Sequence, residues 1–411
     1  MSAKISILTN IPAPYRIPVF RSVASRVDLQ VIFDARSEPN RAWQVREDFG
    51  FRHAYANGAA VPYSRNSANP GASGERYLQL RYDIVRHLRR FRPDVVISGE
   101  MGVRTAQGEI YCRMAGIPLI IWSEGTPHTE GWVSGYKRRI RRHFVRSAAR
   151  FWTNGAESSA LLERYGAAEE TIDSDIMAVD PGLFMSEVDD CYRMQRDAVR
   201  RSLALEGVTF CFLGEFIARK GIKEYLEALR RLRSISSRPF SALFVGDGPE
   251  RSAMESWSRA NRIPLVITGF RQQAELPRFY AAADVFALPS LEDNWALVTL
   301  EAAFAGLPQI FSRFNGATAD LMAAGAPGIV VNPYDISSLG GALESYLVST
   351  PERTSDTVRK RIARIYSPEA CAMRMCRSIE RVLHLESGSL SGEFSSAAAM
   401  EARPTMRAAL P

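Results

Sequence analysis

Glu292, Asp293 and Glu301 lie in the stretch best equipped for chemistry, Pro289 to Pro308. Asp284 to Pro289 reads as a buried strand, and Trp295 to Ala305 as an apolar-faced helix ended by Gly306. The spacing places Asp293 or Asn294 at the N-cap. A helix start offers free N–H groups and a positive dipole end, so amides near Trp295 and Ala296 can receive a diphosphate. Glu301 follows Asn294 by seven positions, about two turns and roughly 10 Å along the axis, which puts both on one helix face. An extended nucleotide-sugar suits this layout, with its sugar at the first acids and its ribose hydroxyls at Glu301. Taken alone, the stretch reads equally as a capped helix with one solvated Glu.

The elements around it alternate strand and helix. Strand signals run Lys4 to Thr9, Asp28 to Asp34, Asp94 to Ser98, Pro118 to Trp122, Arg150 to Thr153 and Asp175 to Val179. Helices are expected at Pro14 to Ser25 and Tyr77 to Phe91, either side of a Gly, Asn and Ser-rich stretch from Asn57 to Ser73. A second series has strands at Val208 to Leu213, Ser241 to Val245, Pro264 to Thr268, Asp284 to Leu288, Pro308 to Phe311 and Gly328 to Val331. Strands separated by helices imply parallel, doubly wound sheets, hence an α/β fold of two Rossmann-like domains. The expected division is 1–185, 200–366, a C-terminal helix over 367–385 packing back toward the first domain, and a disordered tail over 386–411, with the boundary between Pro181 and Arg200.

Ligands of open α/β sheets sit beyond the carboxyl ends of the strands, and the informative loops of the second domain all fall there. Gly214-Glu215-Phe216-Ile217-Ala218-Arg219-Lys220-Gly221 ends its first strand and sets Lys220 at a helix start, where a cation needs an anionic partner. Gly246-Asp247-Gly248-Pro249 ends the next, with glycines that permit close backbone approach. Gly269-Phe270-Arg271 ends the third and offers an aromatic to a nucleobase.

With Ala283-Asp284-Val285, Leu300-Glu301-Ala302, Gly306-Leu307-Pro308 and Asn332-Pro333-Tyr334-Asp335, this ordered series resembles the donor domain of retaining GT-B glycosyltransferases of family 4, glycosyl transferases group 1. The resemblance covers Val208 to Asp335. It implies two domains facing across a cleft, the first binding acceptor and the second nucleotide-sugar. It further implies that Lys220 binds the donor diphosphate, Glu301 the ribose, and Asp293 or neighbouring Glu292 the donor sugar. Amides of Asn294, Trp295 and Ala296 would serve the phosphate, and Gly214, Gly246 and Phe270 would line the site. Glu215 stands where the family usually has a phosphate-binding Arg, with Arg219 in the same loop to compensate. In the first domain the resemblance is looser. Arg16, near a helix start, invites an anionic acceptor or phosphate, with Tyr15 beside it, and Pro14 suits that helix's first turn. His128, after the strand ending at Trp122, matches a position where the family often has a His facing the donor sugar.

Composition sets outer limits. The chain has 411 residues and a net charge of +7, yet Arg76 to Arg150 holds 15 Arg and Lys against 6 Asp and Glu, so the remainder sums to about −2. The densest part, Lys137 to Arg146, sets Ile140, Phe144 and Ala148 at helical spacing beneath cations. It reads either as a surface helix packing inward or as a contact with an anionic membrane surface, rather than with nucleic acid. The N-terminus shows no signal-peptide pattern and no apolar run reaches the roughly 20 residues of a membrane span, so a cytoplasmic protein, peripheral to the inner membrane face, is expected. Five cysteines without C-x-x-C spacing suggest neither a disulfide framework nor a zinc site, and neither metal nor cofactor is expected. The expected activity is sugar transfer from a nucleoside-diphosphate sugar to a hydroxyl of a lipid-linked or polysaccharide acceptor, with retention, in cell-surface polysaccharide or lipopolysaccharide biosynthesis. A non-catalytic nucleotide-sugar-binding partner and a sugar-nucleotide epimerase of the same fold are the alternatives.

Overall fold

The computed structural model describes residues 2–38, 47–64, 75–350, 352–390 and 392. These form two units: residues up to 180 together with those from 365 onward, and residues 181–364. The chain thus enters the second unit at Pro181.

The first unit is built on β1 (Lys4–Thr9), α1 (Ile17–Ala24), β2 (Asp28–Phe33), β3 (Arg52–Tyr55), β4 (Gly58–Ser64), β5 (Glu75–Arg81), α2 (Ile84–Phe91), β6 (Val95–Gly99), α3 (Val103–Ala115), β7 (Leu119–Ser123), α4 (Gly135–Ser147), β8 (Arg150–Thr153), α5 (Ala156–Tyr165) and β9 (Ile172–Asp173). Its parallel sheet runs β3-β2-β1-β6-β7-β8-β9, with β4 and β5 as a separate antiparallel pair. Helices cover both faces of such a sheet, so its strands are apolar almost throughout, as in the fully buried Val95–Gly99 and Leu119–Ser123.

The second unit carries α6 (Pro181–Met194), α7 (Arg196–Ser202), β10 (Val208–Leu213), α8 (Ile222–Ile235), β11 (Phe240–Val245), α9 (Arg251–Asn261), β12 (Leu265–Ile267), α10 (Leu276–Ala282), β13 (Val285–Leu288), α11 (Leu297–Phe304), β14 (Gln309–Ser312), α12 (Ala317–Ala323), β15 (Gly328–Val331), α13 (Ile336–Val348) and α14 (Asp356–Tyr366). Its parallel sheet runs β12-β11-β10-β13-β14-β15. Finally α15 (Pro368–Leu383) joins the first unit, where Cys371, Ala372, Met375 and Ile379 share a core with Ile5, Val31 and Trp122. Trp152 Nε1 donates to Ser378 Oγ at 2.8 Å, which fixes the helix against β8.

Several elements depart from expectation. Tyr77 to Arg81 belongs to β5, because Leu78 and Leu80 follow the strand period and pair with β4, and the helix begins only at Ile84. The anticipated helix from Pro14 starts at Ile17, with Pro18 in its first turn. Ile176 to Val179 is buried but forms no ladder, and Asp175 before it is half-buried and turns through the left-handed region at φ +64°. Ile176 N donates instead to Thr153 O and Val179 N to Tyr366 O. Of the expected disordered tail, 393–411 lies outside the described residues, whereas Gly388 N and Leu390 N donate to the Glu380 carboxylate. Residues 65–73 of the polar stretch also lie outside.

Met375 is fully buried where α15 meets the first core. Replacing it with Ala should cost about 3 kcal/mol, read as a lowered urea midpoint. An unchanged midpoint would mean that α15 adds nothing to that core.

Candidate functional site

In the second sheet β10 lies between β11 and β13, so connections leave β10 and β13 in opposite directions and their loops part at the carboxyl edge. The two loops are tied at that point. Leu291 N and Glu292 N both donate to Arg219 O, at 2.8 and 3.3 Å. Gly221 makes this approach feasible: it sits at φ +72°, and a Cβ there would lie 2.0 Å from Pro289 O. Lys220 is thereby buried against Asp293, its Nζ donating to Asp293 Oδ2. Arg219 Nη1 reaches Glu292 O at 3.3 Å and stands 3.9 Å from the same Asp293 oxygen. Burial pushes the Asp293 carboxyl upward, but Lys220 and Arg219 outweigh it and hold the group below the ordinary aspartate range. Glu292, next to it, is buried too.

The sequence anticipates Lys220 at the start of α8. It stands instead at the end of a short 3-10 turn, Ala218–Lys220, and its anionic partner is internal. The helix after β13 also begins later than expected. Its N-cap is Ala296, not Asp293 or Asn294, so Asn294 lies outside the helix and shares no face with Glu301. The cause is the loop after β14. Asp293 N donates to Phe314 O, Gly316 N donates to Asp293 O, and Asn315 Oδ1 accepts from Ala296 N and Ala317 N, each at 3.1 Å. The Ala296 amide expected to receive phosphate is therefore already bonded to Asn315. Trp295 is buried and donates to Asp320 Oδ2 at 3.0 Å, which anchors the turn to α12.

Glu301 is not a solvated surface acid. It is 7% exposed, and Tyr280 Oη, from α10, donates to its Oε2 at 2.8 Å. Burial raises its carboxyl to about 7, against the opposing pull of that hydrogen bond. Tyr280, Asn315 and Asp320 escaped the sequence reading. Asn315-Gly316 after an apolar strand was the one available signal, as a turn and helix-capping pair.

Glycine loops complete the edge. Gly246, at φ +147°, would place a Cβ 1.9 Å from Gly214 O, so its close approach is to the neighbouring loop. Gly214 N donates to Val245 O and Gly246 N to Gly269 O, joining the ends of β10, β11 and β12. Phe270, just beyond, is 44% exposed and open to a stacking partner. Glu215 has no ion-pair partner among the described residues.

The first unit gathers its own candidates at the carboxyl edge of its sheet. Arg16 caps the start of α1, donates to Thr9 Oγ1 at 2.9 Å, pairs with Glu124 and lies 4.4 Å from the Trp122 ring centroid. The anion expected for it is thus supplied by the chain itself. Burial lifts the Glu124 carboxyl above its usual range despite Arg16. Tyr15 and His128 are half-buried, the latter in a turn closed by Thr126 and Thr129.

Residues 207–348 match the family model described as Glycosyl transferases group 1. The sulfoquinovosyl transferase of Arabidopsis thaliana is 27% identical over 279 residues, 66% of this chain and 53% of that protein. The 2-deoxystreptamine glucosyltransferase of Streptomyces kanamyceticus is 28% identical over 280 residues, 64% of this chain and 71% of its own length. The chain therefore spans about half of the first relative. Among solved structures, Anabaena HepE in complex with UDP superposes with a TM-score of 0.70 at 15% identity, over 92% of this chain and 100% of that one. The fold of two Rossmann-like domains is common to both.

Two outcomes follow from the buried charges. Lys220→Ala should cost about 3 kcal/mol by stranding Asp293, and adding Asp293→Asn should recover part of it, both read by urea unfolding. Glu301 has a folded pKa above its unfolded value near 4.5, so its stabilising effect is complete below that value and is lost as pH rises toward about 7. Glu301→Gln should flatten the decline of stability between those pH values. Parallel profiles for the two proteins would show that Glu301 does not titrate in that window.

Proposed function

Taking the second unit as a glycosyl transferases group 1 domain, we propose that the chain moves a sugar from a nucleoside-diphosphate sugar to an acceptor hydroxyl, with retention of configuration. The observation that carries this reading is the exchangeable charge at the switch point, Lys220 and Arg219 gathered on Asp293. An incoming diphosphate replaces Asp293 as their counter-anion. The freed carboxylate is then available to hydroxyls of the donor sugar, and Glu301, steadied by Tyr280, to those of the ribose.

Retention in this reading follows from departure and attack on one face of the sugar. The transition state separates an oxocarbenium ion from a diphosphate, so cations preorganised at the leaving group stabilise charge that grows during reaction. Lys220 and Arg219 fill that role, and the reading calls on no cofactor. Within the first unit, His128 is assigned a catalytic role and Tyr15 and Arg16 substrate binding. The acceptor is a lipid-linked or polysaccharide hydroxyl in cell-surface glycan synthesis, at the cytoplasmic face of a membrane. Among the described residues no helix is long and apolar enough to cross a membrane.

A thermal-shift panel of uridine, guanosine and adenosine diphosphate sugars tests donor binding, since ligand bound to the native state raises its stability with concentration. One donor class should raise the melting temperature, and Lys220→Ala should abolish the shift. Incubation with that donor should release nucleoside diphosphate, with an α-linked donor giving an α-linked product by NMR. Binding without hydrolysis or transfer of any donor would falsify the enzyme reading. A β-linked product from an α-linked donor would overturn retention.

A further inference from the structure

From Gly131 to Ala156 the sequence contains no Asp or Glu, and within it lies α4. Its apolar side is used internally. Phe144 and Val145 are buried in the first unit's second core, with Ile140 and Ala148 packed against it. An amphipathic helix that inserts its apolar stripe into a bilayer is therefore not what this segment presents. Its cations divide into two sets. Arg138 is spent on Val133 O and Arg141 on Glu130. Lys137, Arg139, Arg142 and Arg146 have no partner among the described residues. Arg139, Arg142 and Arg146, spaced by three and four residues, line one helix face with Gly135 and His143, around an open groove of about 640 Å³.

At the N-terminal end of this face two aromatic rings stand in solvent, Trp132 at 57% and Tyr136 at 75% exposure. Rings with one apolar and one polar edge gain most at the boundary between headgroups and acyl chains. Unpaired cations of one sign next to such rings are complementary to a surface that is both anionic and apolar a few ångströms below. Nucleic acid would satisfy the charge, but nothing on this face forms a groove-reading element or a base-stacking strand.

We propose that the face of α4 carrying Arg139, Arg142 and Arg146, with Trp132 and Tyr136 as inserting groups at its N-terminal end, docks the first unit on an anionic lipid surface. The docking is electrostatic, because the helix lies on the headgroups by its cationic side while its apolar side stays in the protein core. It deepens the membrane-surface placement of the proposed function by naming the residues that make the contact. Because it requires neither donor nor acceptor, its failure is distinguishable from failure of the transfer.

The test is flotation of the full chain with phosphatidylcholine vesicles, with and without phosphatidylglycerol, in the absence of any sugar nucleotide. Binding should require phosphatidylglycerol and fall with salt. At about fivefold per cation, Arg139→Gln, Arg142→Gln and Arg146→Gln together should lower partitioning about 100-fold and flatten its salt dependence. Trp132→Ser with Tyr136→Ser should weaken binding while keeping that dependence. Arg138→Gln with Arg141→Gln should change partitioning less than any pair from the free set. All these side chains reach solvent, so matched melting curves serve as the folding control. Equal binding of wild type and triple variant, equal binding to neutral vesicles, or tighter binding to a mixed-sequence DNA duplex would each overturn the proposal.

Discussion

The second unit is organised around one buried ion pair, Lys220 with Asp293, at the point where the loops of β10 and β13 part. A buried pair is a poor way to gain stability, since desolvating two charges costs about as much as their attraction returns. Apolar residues of similar volume would hold the two loops together at least as well. What apolar residues cannot do is offer a cation to an arriving anion at no further desolvation. The lysine is already out of water and already oriented, so exchange of one anion for another is all that binding requires.

That constraint explains features that look unrelated along the chain. Gly221 must be a glycine because Lys220 reaches Asp293 only if the backbone passes within contact of Pro289 O. Gly246 must be one because the β10 loop is held down from its other side, at Gly214 O. Asn315 must bond the Ala296 amide because Asp293 sits in an extended turn before α11 rather than at its cap, and the amide it leaves behind would otherwise be buried without a partner. Each is a backbone accommodation to the position of one carboxylate.

This is also where sequence and structure part company. Both parallel sheets were legible, since strands buried on two faces are apolar runs bounded by turn residues, and β1, β8, β10 and β15 begin and end where the pattern places them. The residues of the site were legible as types at a sheet edge. Their connections were not. Asp293 looks like an N-cap because it precedes an apolar run, and only the β14 loop, twenty residues further on, takes it out of that role. Glu301 looks solvated because nothing local announces Tyr280, which arrives from α10. Long-range partners that satisfy a polar group leave no periodic trace.

The first unit handles a cation at its own sheet edge differently. Arg16 begins the helix after β1, much as Lys220 precedes the helix after β10, and it too is met by a carboxylate from another loop, Glu124. Yet Arg16 is also held by Thr9 Oγ1 and lies against the Trp122 and Tyr15 rings, so Glu124 is one of several restraints on it. A guanidinium stacked on an indole and bonded to a hydroxyl gives up little by keeping its place when an anion arrives. The lysine is a flexible point charge paired with Asp293, beside a half-exposed Arg219. Of these two cations, Lys220, as a flexible point charge, is the one suited to change partners, and Arg16 the one suited to stay.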